Sequence, residues 1–477
     1  MKRKSPTVHG YKMDIPSEPS GLLKLPSHTI YIFNMSEDVW PFINAMSQQK
    51  QRTSEIQENV YLADLRLFQF CDEDDHLFVI SPLGVTDEFY SYFKELFGHK
   101  EITFLSMPIH SGAICDDILQ DESIMKKLIE IANSSRKLTI TAYATTPEFL
   151  HLMRELRRRG LTIYTPESPE EEDGWTVNFY GSKSGIRQLA QQSRNVEPDF
   201  QMANGLICVG IEDAAKIAAK RYIKENGVVI KTNKGHSGMG VLIFRPGDLP
   251  PDYLSCEQTI LKILEKEAYW SKFPIIIEDF IQIQTSVGGG CPNVEFKILK
   301  NGRVEFLYYC AMRMTNDGVF KGVEIHHEVV SDRVAAQMVD TGFFIGEQYA
   351  AAGYRGYYDV DFVAGRNGQL FVTESNVRTT GGTFVYTTAV KFFGKDFMYT
   401  TFILSNNSYD INHFQNPTFS GLRDRLRPIL FNKTSREGLI IVSENLLRIN
   451  HLAYIIFAKN KKRAYEIEIN MEQLLRS

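Results

Sequence analysis

Apolar and polar positions run along this chain in two rhythms, and the change falls near residue 175. Between 28 and 165, short apolar runs (TIYIF, LFVIS, ITFLS, KLTITAY, LTIY) alternate with helical periodicity in DEFYSYFKELFG, a stretch near 122–133, and PEFLHLMRELRRRG. Strands alternating with helices predict a parallel sheet covered by helices. No G-x-G-x-x-G follows any of these strands, so a dinucleotide site is not expected there.

After the acidic loop PESPEEEDG the strands become shorter and pair as hairpins at 227–245, 293–309 and 357–376, separated by helical stretches at 182–193, 211–226, 255–271 and 331–352. That order is α+β. In the last ~75 residues LIIVS, the helix-like SENLLRI and the pair LAYIIFA and AYEIEI around a basic turn predict a small closing unit. No internal repeat is visible.

Composition narrows the classes. At 477 residues the chain exceeds one hydrophobic core, and 43% hydrophobic with 23% charged residues is ordinary for packed domains. A net charge of −5 lacks the concentrated basic surface that nucleic-acid binding needs. No stretch approaches the ~18 consecutive apolar residues of a membrane span, and the start has no apolar signal core. The six scattered cysteines have no metal-ligand spacing and read as reduced, mostly buried thiols. A cytoplasmic location is expected, with residues 1–27 as a flexible tail.

Candidate chemistry concentrates in YYDVDFVAGRNGQLFVTESNVRTTGGTF, residues 357–384. Asn367-Gly368 between apolar runs is a strong hairpin signal. A two-residue turn there sets Arg366 opposite Gln369, Asp361 opposite Glu374 and Asp359 opposite Asn376, all four acidic and amide positions on one face. Opposed carboxylates repel, more so when buried. Two carboxylates and an amide suit a hard cation such as Mg²⁺, with Arg378 two residues on along the same face to address a bound phosphate. The alternative is one carboxylate salt-bridged to an arginine and the rest solvated.

Two further segments are suggestive. GVVIKTNKGHSGMGVLIFRP (227–246) is strand, glycine-rich loop, strand: Gly235, Gly238 and Gly240 permit close phosphate approach, Ser237 adds a hydroxyl, and Lys231 supplies charge. A glycine-rich turn that binds nothing is the other reading. FPIIIEDFI (273–281), followed by VEFKI (294–298), is an apolar strand ending in Glu278; backbone groups on such a strand can meet adenine, and Glu278 or Glu295 the ribose.

The order of these pieces resembles the ATP-grasp ligases over roughly residues 178–405. In that family a lysine precedes the first helix, as Lys183 does in NFYGSKSGIRQLA; a second ends the strand before a glycine loop, as Lys231 does; an acidic hinge reads IIIEDFI; and the metal hairpin ends E-x-N-x-R, here Glu374, Asn376 and Arg378. NVRTTGGTF is most similar to the pheganomycin-type peptide ligases. Asp359, where many relatives carry a small residue, and the loop QTSVGGGCPN depart from the pattern.

The resemblance implies a Rossmann-like pre-ATP-grasp domain (28–177), an ATP-grasp fold (178–405) and a small C-terminal α+β subdomain (406–477). Lys183 and Lys231 would hold the phosphates and adenine side of ATP, and Ser237, Gly238 and Gly240 would close over the γ-phosphate. Glu278, Ile281 and Glu295 would line the nucleotide, and Asp361, Glu374 and Asn376 would hold Mg²⁺. Arg313 and Arg378 are candidates to neutralise an acyl phosphate or anchor a substrate carboxylate, a surface salt bridge being the alternative for Arg313. One of His326 and His327 is a candidate base, with an ordinary strand histidine as the alternative, and His236 is a candidate phosphate contact.

The implied reaction converts a carboxylate to an acyl phosphate with release of ADP, then joins it to an amine, an amino acid or peptide. Alternatives are an ATP-grasp enzyme acting on another nucleophile such as a thiol, and a nucleotide-binding regulator without turnover. Expected partners are small-molecule carboxylates and amines or peptides, neither nucleic acid nor membrane, with a homodimer left open.

Overall fold

A computed structural model describes residues 25–71, 76–98, 101–107, 110–236, 239–315, 318–366, 368–414 and 417–476. Most of the expected flexible tail, residues 1–24, lies outside the described residues.

The front of the chain forms a parallel sheet from β1 (Ser27–Ile32), β2 (His76–Ser81), β3 (Ile102–Ser106), β4 (Lys137–Ala142) and β5 (Ile163–Tyr164), in the order β3-β2-β1-β4-β5. Its helices start where the sequence supplies caps: Thr86, Asp121 and Thr146 each accept from a first-turn N–H. Strand order reverses between β1 and β4, the place where sheets of this kind bind ligands, and here Asn34 and Tyr143 stand at their carboxyl ends. The sequence pattern missed the helical run after β1 (Met35–Asp38, Trp40–Asn44, Gln49–Tyr61) and the 3₁₀ segment Asp64–Phe70. Helix Gln49–Tyr61 is mostly polar and buries little beyond Asn59 and Val60, so it has no apolar stripe to betray it.

The middle of the chain builds a small sheet from β6 (Gly205–Cys208), β7 (Val228–His236), β8 (Met239–Phe244) and β9 (Ile275–Asp279), ordered β6-β9-β7-β8. The large antiparallel sheet takes β10 (Pro292–Ile298), β11 (Val304–Met314), β12 (Phe320–Ile325), β13 (Gly356–Ala364), β14 (Leu370–Glu374), β15 (Phe402–Asp410), β16 (Gly438–Ile441) and β17 (His451–Ala458), ordered β14-β13-β10-β11-β12-β15-β17-β16. Residues beyond 405 thus continue this sheet.

One face of the large sheet is covered by helices. Helix Asp332–Ala351 lies close because Gly342 and Gly346 leave room for Phe296 and the Tyr358 hydroxyl. Helix Lys461–Arg476 covers the far end, and here the expectation of a strand in AYEIEI is overturned. Ala464, Ile467, Glu468, Met471 and Leu475 are buried at spacings of three and four, so the longer helical period wins over six residues of alternation. None of the six cysteines forms a disulfide, and four are buried.

Candidate functional site

The opposite face of the large sheet carries the chemistry, centred on the β13–β14 hairpin. Asp361 pairs with Glu374, as the sequence predicts, but the turn differs. Gly365, not Arg366, faces Gln369, donating its N–H to the Gln369 carbonyl at 2.8 Å. Three residues therefore connect the strands, and Asn367 among them lies outside the described residues. A β-bulge at Thr373 absorbs the extra residue and restores the pairing of Asp361 with Glu374. Beyond it the Asp359 N–H donates to the Asn376 carbonyl at 3.0 Å.

Asp359 and Asp361 are 4% and 7% exposed, and two amides hold them. Asn293 Nδ2, on the neighbouring β10, donates to Asp361 at 2.6 Å and Asp359 at 3.1 Å. Asn376 Nδ2 donates to Asp359 at 3.0 Å and Asp361 at 3.2 Å, and its backbone N–H to Asp359 at 2.9 Å. Burial, then the charges of Asp359 and Glu374, push the Asp361 carboxyl well above the carboxylate range. Burial raises Asp359 to about 6 against the restraining hydrogen bonds of Asn376. Glu374 goes the other way, to about 2, because the Lys183 ammonium lies 2.6 Å away.

These carboxylates repel, and every donor in the set is oxygen, which fits Mg²⁺. Among the described residues no three His, Cys, Asp or Glu side chains converge as a ready cation cage. A Mg²⁺ ion completed by substrate phosphates needs only one or two carboxylates from the protein.

Cations face the hairpin from the small sheet and from the helix Lys183–Ser193. Lys183 opens a helix capped by Ser182, whose hydroxyl accepts from Gly185 N–H at 3.0 Å. Lys231 reaches Glu278 at 2.7 Å, and Arg187 meets the same buried carboxylate. Attraction to Lys231 and Arg187 holds Glu278 below its usual value although burial opposes them. Lys234 bonds Asn178 at 2.6 Å, and desolvation lowers its pKa despite nearby Asp38. Gly240 has φ 77° and sits against the Thr232 methyl, so a side chain is excluded on both counts. Ser237 and Gly238 lie outside the described residues, and the His236 side chain is likewise undescribed. Ile281 is half-buried just past β9.

Arg378 joins this region to the carboxyl ends of the front sheet. Its Nε bonds Asp38 at 2.9 Å, its Nη2 bonds Asn376 Oδ1 at 3.1 Å, and its guanidinium carbon lies 5.3 Å from the Tyr143 ring centroid. The Tyr143 carbonyl in turn accepts from the Thr379 hydroxyl at 3.0 Å.

Two expected residues stand elsewhere. Glu295 is fully buried, held by the hydroxyls of Tyr308 at 2.5 Å, Thr380 at 2.8 Å and Thr383, and burial raises its pKa to about 7. Sealed this way it meets no ribose. Arg313 falls on the helix-covered face, where it pairs with Glu468 at 2.8 and 3.1 Å and donates to the Ser405 carbonyl. Strand alternation puts it opposite to Cys310, which points at Asn293, so its role is a structural ion pair. His326 and His327 pack at tilted angles against each other, His326 also against Phe402 and His327 against Tyr399. Sequence reasoning missed Asn293, Arg187, Lys234, Asp38 and Tyr143; only Asn293 left a signal, in the hairpin that contributes Glu295.

No protein-family model and no curated protein matches the sequence. Solved structures do match in fold. The ADP complex of N5-carboxyaminoimidazole ribonucleotide synthetase aligns with TM-score 0.54 at 9% identity, covering 95% of this chain and 98% of that one. The biotin carboxylase domain of Hydrogenobacter thermophilus 2-oxoglutarate carboxylase gives 0.53 at 13%, covering 91% and 87%. Biotin carboxylase from Campylobacter jejuni gives 0.54 at 12%, covering 91% and 88%. The chain therefore has an ATP-grasp fold, with a parallel sheet early in the chain and a large antiparallel sheet after it. Among the described residues no helix is long and apolar enough to cross a membrane.

Proposed function

We propose that this protein is an ATP- and Mg²⁺-dependent ligase that activates a carboxylate as an acyl phosphate, releases ADP, and joins the acyl group to an amine. The observation that carries the reading is the opposed pair of buried Asp361 and half-buried Glu374 set against Lys183, Lys231 and Arg378. Adjacent acids and bases of this kind pair with each other until a polyanion and its cation arrive. The fold neighbours were solved with ADP, with magnesium ADP and bicarbonate, and as a β-γ-ATP complex, which supports the same choice of ligand.

Lys183 and Lys231 bind the phosphates, releasing Glu374 and Glu278 from their present ion pairs. Asp361, Glu374 and Asn376 hold Mg²⁺, with Asp359 and Asn293 fixing the orientation of Asp361. When bound, the ion neutralises phosphate charge and polarises the phosphoryl group. Arg378 balances negative charge on the transferring phosphoryl group, and the buried Tyr143 ring beside it keeps water from the acyl phosphate. The motif NVRTTGGTF supports a peptide-ligase subgroup, and an amino acid or peptide as the amine.

Trapping with hydroxylamine tests the reading. With the right carboxylic acid the expected products are a hydroxamate, ADP and phosphate in equal amounts; AMP and pyrophosphate would overturn it.

A further inference from the structure

Arg66, on the 3₁₀ segment Asp64–Phe70, is 3% exposed. Among the described residues no carboxylate pairs with its guanidinium, whose one hydrogen bond runs from Nη1 to the Thr380 carbonyl. A buried guanidinium without an anion is costly, and folded proteins rarely keep one without use. Its surroundings are also unsatisfied. Arg66 Nε, Gln69 Oε1, the Tyr31 hydroxyl and Thr141 Oγ1 are all buried without a hydrogen-bond partner.

These atoms belong together. Arg66 and Gln69 are three apart on a 3₁₀ segment, where such side chains eclipse. Tyr31 and Thr141 are register partners on β1 and β4. The Tyr31 ring lies 4.9 Å from Phe70, with its hydroxyl in electrostatic reach of Arg66. Glu167, also in reach of Tyr31, is already held by Lys297 at 2.5 Å. The cluster borders the proposed reaction centre through Tyr143, whose ring centroid is 4.8 Å from the Arg66 guanidinium carbon and 5.3 Å from that of Arg378.

We propose that Arg66, with Tyr31, Gln69 and Thr141, is the carboxylate-binding subsite for the amine substrate, which is an amino acid. The inference rests on the ligase reading above. A planar guanidinium with two hydroxyls suits a carboxylate, and Gln69 Oε1 supplies an acceptor for a neighbouring N–H. The short span across one tyrosine ring sets the amine near Arg378, where the acyl phosphate forms.

The test is calorimetric titration of the full chain, with Mg²⁺ and a non-hydrolysable ATP analogue, using each proteinogenic amino acid and its carboxamide. At least one amino acid should bind about tenfold or more tighter than its amide. Arg66→Met should erase that preference while Mg²⁺–ATP still raises its melting temperature, and Arg66→Lys should keep part of it. Thr141→Val, which leaves the charge in place, should reduce the preference several-fold and decides the matter if Arg66→Met does not fold. A parent that binds the ATP analogue but treats every acid and amide alike overturns the subsite, as does a preference unchanged in the variants. Failure of Mg²⁺–ATP to bind the parent at all overturns the ligase reading instead.

Discussion

Replacing Glu295 with glutamine separates a nucleotide contact from a buried structural acid. In the structure Glu295 is enclosed by three hydroxyl donors and its pKa rises from 4.5 to about 7. A carboxyl whose pKa is raised by folding binds its proton more tightly in the folded state, so stability falls as pH climbs from the unfolded value through the folded one. Between pH 5 and pH 8 that loss is about 2.5 kcal/mol, at ~1.36 kcal/mol per pKa unit. A glutamine amide is neutral throughout, so the variant should gain about that much on the parent over this range. With ~2.1 cal/mol/K of unfolding entropy per residue over the whole chain, the gain appears as about 2–3 °C in melting temperature. Parallel melts of both proteins at pH 5 and pH 8, with ATP affinity measured at each, decide the question. A variant destabilised equally at both pH values refutes the raised carboxyl. A tenfold or larger loss of ATP affinity returns Glu295 to the nucleotide site.

Three other substitutions probe the remaining assignments. Asp361→Asn should raise the melting temperature of the ligand-free protein by relieving charge repulsion, yet abolish the Mg²⁺ dependence of ATP stabilisation and cut turnover about a hundredfold or more; equal ATP stabilisation with and without chelator in the parent counts against the metal hairpin. Lys183→Met and Lys231→Met should each weaken ATP binding by roughly ten- to a hundredfold in equilibrium titrations, and unaltered affinity in both variants would move the nucleotide elsewhere. Arg313→Met leaves Glu468 buried without its partner and should cost about 3–5 kcal/mol in denaturant unfolding while leaving ATP affinity intact, so a selective loss of turnover would restore Arg313 to the reaction.

The parts of this molecule that periodicity governs were legible from the residues. Alternating strands and helices gave the parallel sheet, and the opposition of Asp361 and Glu374 emerged from counting outward from a turn, although the turn is one residue longer and a bulge makes up the difference. Contacts that depend on which strands lie side by side were not legible. Asn293 meets Asp361 because β10 neighbours β13, a pairing that crosses 68 residues of chain, so the hairpin could be read but not the strand it would lie against. Arg313 shows the same blindness in reverse: a strand pattern gives two faces but not which of them the helices will cover. Glu295 looked like a ribose ligand because acidic residues on apolar strands invite function, and only the later arrival of Thr380 and Thr383 shows that three hydroxyls already occupy it.

The bulge at Thr373 has a mechanical consequence for the hairpin. Because pairing is reset between Val372 and Glu374, and then held by the bond from Asp359 to Asn376, the register of the acids is fixed at the base of the hairpin. The Thr373 hydroxyl, donating to the Asp361 carbonyl at 3.2 Å, pins the reset in place. The outer end has its own tether, the Arg366 N–H to the Gln282 carbonyl at 3.1 Å and the bridge from Gly365 to Ile283, while the two acids keep their spacing as though clamped. Each end of the hairpin thus carries a separate anchor, and the chemistry at its root leans on the bulge more than on the turn.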